Sequence, residues 1–216
     1  MIPLSRKWQD EITKAILFYR EKLNPWVVSV EARYNLFPAE VLNEIRAFVN
    51  HVSRCYADGL PDEKIERNIE RAHNHLYRAV FDCMKHLIIS FVDEMRDFEA
   101  ETKDIDLWEI SDGEFYVEYK RLKKEARKKT EIAKKIEKND INPNYKEDGF
   151  QAFQEAFNVH AEIGELLADN NENIRVVKKR TINRNRRQRF SQVGWNVFWA
   201  FLSAILGVLL GYLLFK

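Results

Sequence analysis

Cysteine is nearly absent: Cys55 and Cys83 are the only two in 216 residues, and they form no paired or metal-type spacing. That excludes a disulfide-stapled fold and a cysteine-built zinc framework. Both fall at apolar positions of predicted helices and read as reduced core residues. Glycine and proline are also scarce, at seven and five residues. Their scarcity excludes collagen-like and low-complexity architectures. No Gly-x-Gly-x-x-Gly, no Gly-x-x-x-x-Gly-Lys-Ser/Thr and no nucleophile elbow occurs, so the usual phosphate cradles and serine-hydrolase turns are missing. The first 23 residues carry charges throughout and lack the apolar region of a secretory signal. No internal repeat and no Gly/Ser linker interrupts the chain. Residues 178–216 contain no acidic side chain at all.

What is present is helix-forming: Glu, Lys, Ala, Leu and Ile dominate. The net charge of +1 conceals an asymmetry. Residues 178–216 hold eight of the 35 basic residues, so the rest carries 27 basic against 34 acidic residues, a balance of −7. An acidic body disfavours broad nucleic-acid binding. The pattern predicts an all-α fold, a cytoplasmic helical bundle with a long hairpin over residues 1–177. Leu4, Trp8, Ile12, Ile16, Tyr19 and Leu23 mark a first helix, capped by Ser5 and stopped before Pro25. Trp26 to Val30 reads as a buried connection. Pro38 opens a second helix whose inner stripe is Val41, Leu42, Ile45, Phe48, Val49, Val52 and Tyr56, ended by Asp58-Gly59. Pro61 opens a third with apolar positions from Ile65 to Phe98, and the two form an antiparallel hairpin. Ser111-Asp112-Gly113 marks a break. A fourth, lysine-rich helix over residues 114–139 reads as a solvated element projecting from the bundle, with a basic surface for an anionic ligand as the sharper alternative. A fifth runs from about Tyr145 to Asp169, and a further helix covers Glu172 to Phe215.

The stretch from Val193 to Phe215 organises the rest. It has 23 residues and no charged side chain. As a helix it extends about 35 Å, enough for a hydrocarbon core of roughly 30 Å. It is expected to be a transmembrane helix (residues 193–215) behind a basic juxtamembrane collar (residues 178–192). Lys178, Lys179, Arg180, Arg184, Arg186, Arg187 and Arg189 precede it, with Trp195 and Trp199 at the interface. By the positive-inside rule the N-terminal body is cytoplasmic and the chain a tail-anchored, single-pass protein of the cell inner membrane. Ser203, Gly207 and Gly211 place small residues along one face, the pattern of close helix association, and predict a homo-oligomer.

Chemistry is less clearly written. Arg46 and His51 are separated by four residues, Arg67 and His73 by five. Both resemble the Arg-x(4–6)-His signature of HEPN-type ribonucleases, in which the Arg positions a phosphate and the His assists proton transfer. That gives one alternative function, a membrane-tethered ribonuclease. A metal site could draw on His51, His73, His75 and His86 with Glu70 and Asp82, but one Glu-x-x-His where di-iron bundles need two favours hydrogen-bonded histidines. No metal and no cofactor is expected, and no enzyme. Glu44, Arg46, His51, Arg54, Arg71, His75, Arg78, Asp82 and Lys85 alternate with the hairpin's apolar stripe, as a charged network or an ordinary solvated face. A SNARE-like tether would share the basic collar and anchor, but Gly164, Asn171 and Lys178 interrupt the heptad line begun by Phe150 and Phe157.

The polar-patterned hairpin from Pro38 to Leu87, joined to the terminal apolar helix, resembles the membrane effectors of bacterial anti-phage signalling systems. It is similar in layout to the effector of Hailong-type defence. The resemblance implies a gated ion channel or membrane-disrupting protein acting in abortive infection. It further implies control by a nucleotide or oligonucleotide signal from a partner nucleotidyltransferase.

Overall fold

The computed structural model describes residues 4–35, 37–139 and 144–214, with the side chains of 188–191 and 206–214 outside that description. The described residues form seven α-helices and no strand, so the all-α expectation holds. They are α1 (Arg6–Phe18), α2 (Asn24–Tyr34), α3 (Ala39–Arg54), α4 (Asp62–Glu101), α5 (Glu114–Glu137), α6 (Tyr145–Asp169) and α7 (Asn171–Leu214). The chain divides into two compact units, Met1–Phe98 with Glu118–Leu166, and Glu99–Val117 with Leu167–Lys216.

The first unit is organised by α4. Its buried residues recur at three- and four-residue steps from Ile65 through Ile69, Ala72, Leu76, Ala79 and Val80 to Cys83, Met84, Leu87, Phe91 and Met95. Phe81 and Ile88 are buried beside it. The widened stripe touches helices on more than one side. Val41 and Phe48 of α3, Val27 and Val30 of α2, Ala133 of α5 and Phe153 and Ala156 of α6 share one core with it. A second cluster of Trp8, Ile12, Cys55, Ile65 and Ile69 closes the turn between α3 and α4. There the Trp8 indole donates to Asp62 Oδ1 at 3.1 Å.

The α3–α4 pair is the antiparallel hairpin expected. His86 lies 3.6 Å from Glu40, His75 2.6 Å from Glu44 and Cys55 Sγ 3.9 Å from the Ile65 carbonyl, so the partners run in opposite directions. Gly59, at φ +70°, turns the chain between them in a conformation that suits glycine. Both cysteines are free and buried, and burial pushes the Cys83 thiol up to about 12.

Four expectations need correction. Pro25 does not stop the first helix. A wide turn over Tyr19–Leu23 leads directly into α2, where Pro25 occupies the first turn, the one place whose N–H has no intrahelical partner anyway. Consequently Trp26 to Val30 is helix rather than connection. Leu42, Val49 and Tyr56 are exposed, because the inner line of α3 is Val41, Ile45, Phe48, Val52 and Cys55. And α5 does not project: Tyr119, Leu122, Ala126 and Ala133 are buried. Several of its charges are paired along the surface, with Arg121 between Glu118 and Glu125, Arg127 on Glu131, and Lys129 on Glu155 of α6.

In α6, Gly164 lets a backbone approach an aromatic ring. A Cβ there would meet Phe91 Cε1 at 2.8 Å, inside normal contact. Phe91 also stacks under the Arg33 guanidinium at 3.9 Å.

In the second unit two 3₁₀ turns, Leu107–Glu109 and Ser111–Gly113, contain the expected break. Asp106 caps the first by accepting from the Trp108 amide at 3.1 Å. Ser111, Asp112 and Gly113 all have positive φ. Gly113, at φ +92°, lies under the Trp108 ring, where a Cβ would come within 2.3 Å of Cε3. Ile110, Phe115 and Val177 are buried in this unit. Helix α7 starts after a one-residue break at Asn170 and runs uninterrupted past residues 177 and 192. Among the described residues no helix is long and apolar enough to cross a membrane. The side chains of 206–214 and residue 215, which belong to the uncharged run, lie outside that set, as does Lys216.

Candidate functional site

On α4, Asn68, Arg71, His75 and Arg78 follow one another at steps of three and four residues and so share one face. Facing them on α3 are Glu44 and His51, seven residues apart and thus two turns along one side. The hairpin brings these six polar side chains together. His51 and His75 stack with centroids 5.2 Å apart and planes inclined by 22°. His51 Nδ1 lies 2.9 Å from Asn68 Oδ1, and His75 Nδ1 lies 2.6 Å from Glu44 Oε2. Since an amide oxygen and a carboxylate only accept, both Nδ1 atoms carry the proton.

Arg78 donates through Nε to the same Glu44 oxygen at 3.0 Å, and its Nη2 sits 2.7 Å from His75 Nδ1. With Nδ1 already donating to Glu44, that Nη2 contact is not a hydrogen bond. Arg71 forms no hydrogen bond or ion pair among the described residues. Between these groups is a cavity of about 300 Å³ lined by His51, Arg71, Asn74, His75 and Arg78. Asn74 Oδ1 is buried with no hydrogen-bond partner, an arrangement that costs about 1–3 kcal/mol when nothing satisfies it. Two guanidinium groups against one bonded carboxylate leave the cluster net positive.

The two Arg–His pairs anticipated from spacing do not assemble. Five residues rotate a helical side chain by about 140° and six by about 120°, so neither pair shares a helix face. Arg46 and Arg67 are exposed. His73 turns toward α1, hydrogen-bonded to the Glu11 backbone, and burial holds its imidazole below the ordinary range. His51 therefore meets His75, a histidine outside either pair. Glu44, His51, Arg71, His75 and Arg78 all belong to the alternating polar set of the hairpin, which forms a bonded cluster here rather than a merely solvated face. Asn68 and Asn74 were missed, although their places in the same three- and four-residue series would have found them. Farther along α4, Lys85 bridges Asp82 and Glu137, each at 2.8 Å. No group of three or more potential ligands among the described residues could hold a metal ion.

A second cavity of about 470 Å³ in the same unit is lined by Phe18, Lys22, Tyr77, Glu147, Phe150, Gln151 and Gln154. The Tyr77 hydroxyl donates to Glu147 at 2.8 Å, and burial raises its pKa. Its lining is partly aromatic, with Lys22 over the Phe150 ring and Tyr77 paired with Glu147.

In α7 the basic collar is partly engaged. Lys178 reaches Glu101 at 3.1 Å and Arg184 reaches Glu109 at 2.9 Å, both within the second unit. Lys179, Arg180, Arg186 and Arg187 are exposed, and the side chain of Arg189 lies outside the described residues. Trp195 and Trp199 are exposed and meet edge to face with centroids 6.0 Å apart. Ser203 is exposed, its hydroxyl donating to the Trp199 carbonyl at 2.8 Å, whereas Gly207 and Gly211 lie outside the described set. The chain matches no family model, no curated protein and no solved structure.

Proposed function

We propose that this chain is a single-pass membrane protein that works as a homo-oligomer, with a cytoplasmic helical body and residues 193–215 of α7 in the inner membrane. The observation that carries the reading is the state of the apolar side chains on α7. Val193, Trp195, Val197, Phe198, Trp199, Phe201 and Ile205 are 44–69% exposed on one continuous helix. At about 100° per residue they cover roughly two thirds of its circumference. Gln192, Asn196, Ala200 and Ser203 occupy the remaining flank. A surface this apolar is unfavourable in water and natural in lipid. A flank of small and polar residues is the side by which membrane helices approach one another.

One helix encloses no pore, but several copies around an axis do. The function that follows is a gated channel or membrane-disrupting effector in anti-phage defence, with the collar on the anionic cytoplasmic leaflet. An oligonucleotide or nucleotide signal from a partner nucleotidyltransferase, binding closed and open assemblies differently, would set the gate. The all-helical body agrees with the resemblance that suggested this role.

Membrane potential in cells expressing the full chain, beside a chain ending at Arg189, tests the proposal. Depolarisation that requires residues 190–216 and is lost in Gly207→Leu supports it. Growth arrest with polarised membranes that persists without those residues overturns it and favours an enzyme in the body.

A further inference from the structure

We infer that the cavity between α3 and α4 binds a phosphate-bearing anion through Arg71, Arg78, His51 and His75. Three observations meet there. The first is uncompensated charge: Arg71 has no partner among the described residues, and Arg78 spends Nε on Glu44 and only a long 3.4 Å contact of Nη2 on His75. The second is preorganisation. Each imidazole is fixed through Nδ1, by Asn68 or Glu44, which leaves His51 Nε2 available to a ligand, while His75 Nε2 faces Arg78 Nη2 at 3.4 Å. The third is the buried Asn74 Oδ1 on the same wall, an acceptor with no donor.

Guanidinium forks match the paired oxygens of a phosphoryl group, and such charge-assisted bonds are about twice as strong as neutral ones. With Nδ1 carrying the proton, an imidazole Nε2 accepts from a P–OH or neighbouring hydroxyl of the ligand. A bare carboxylate would use the guanidinium groups but leave Asn74 unsatisfied. A phosphate monoester offers both, through its anionic oxygens and a P–OH or neighbouring hydroxyl that donates to Oδ1. A cation is disfavoured by the two guanidinium charges. At about 300 Å³ the cavity stands at the small end of ligand pockets and fits a phosphate group with a modest body. The site lies wholly in the first unit and does not depend on the membrane reading.

Inorganic pyrophosphate titrated into the purified full-length chain in detergent, followed by isothermal titration calorimetry at constant ionic strength, tests the site. The expected result is saturable binding with Kd below about 1 mM. Arg71→Ala, at an exposed position, should weaken it at least about tenfold with an unchanged melting temperature. Lys134→Ala, on the exposed basic face of α5, should leave it unchanged. Absence of saturable binding overturns the proposal, and so does equal weakening by both variants, which would mark a general charge effect.

Discussion

Helices α4 and α7 are the two longest, 40 and 44 residues, and they solve opposite problems. α4 buries thirteen side chains in a stripe that follows the helical period. α7 has Val177 as its one buried residue among those described and, beyond the basic collar, presents bulky apolar side chains around about two thirds of its circumference over residues 193–205. Periodic hydrophobicity requires a protein partner on one side; continuous hydrophobicity requires an apolar surrounding. On the function proposed above, the same residue types hold a fold together in α4 and set the molecule in lipid through α7.

If this contrast is right, equal truncations should have unequal effects. Leu76→Ala, at a fully buried position, should lower stability by about 2–5 kcal/mol in urea or thermal unfolding. Phe201→Ala, 69% exposed, should leave the unfolding midpoint of the detergent-solubilised body within error while weakening membrane association. A large loss of body stability in the second variant would erase the distinction.

Gly113 tests the second unit. Gly113→Ala forces a Cβ onto Trp108 and a side chain into a positive-φ backbone, so about 1–3 kcal/mol should be lost. Trp108 is partly exposed and should shift its fluorescence as it is displaced. An unchanged spectrum would contradict the packing.

Acid should act mainly on the first unit. His73 and His160 are held below their ordinary 6.5 by burial, opposed by backbone hydrogen bonds to Glu11 and Ala156. The unfolded chain then binds more protons below pH 6.5. The contribution of the neutral imidazoles is complete above that value and declines as pH falls toward the folded pKa values. Urea midpoints at about pH 7.5 and 5.5 should show the drop, and His160→Leu should flatten it.

The smallest effect belongs to the collar. Glu109→Gln removes the partner of Arg184, and exposed pairs contribute about 0–1 kcal/mol. A loss several times larger, insensitive to salt, would show that the pair is not an ordinary surface contact.

How much the sequence reveals follows the same division. The stripe of α4, the hairpin, the Gly113 break and the bounds of α5 and α6 are local, because period and turn residues fix them. The fate of Leu42, Val49 and Tyr56 was not, since a stripe wider than one face does not say which edge finds a neighbour. The lysines of α5 outweigh in the sequence an inner line of Tyr119, Leu122, Ala126 and Ala133 that suffices for close packing. The Arg–His pairs fail because a spacing of five or six residues does not place two side chains on one helix face. The cluster that formed needed two helices brought together, and only Glu44, His51, Arg71, His75 and Arg78 as an alternating set hinted at it.

The central claim is that residues 193–215 lie in lipid. The most direct test is alkaline carbonate extraction of membranes from cells expressing the full chain and, separately, the chain ending at Arg189. The full chain should remain in the membrane pellet while the shortened chain is released. Release of the full chain into the soluble fraction would contradict the account.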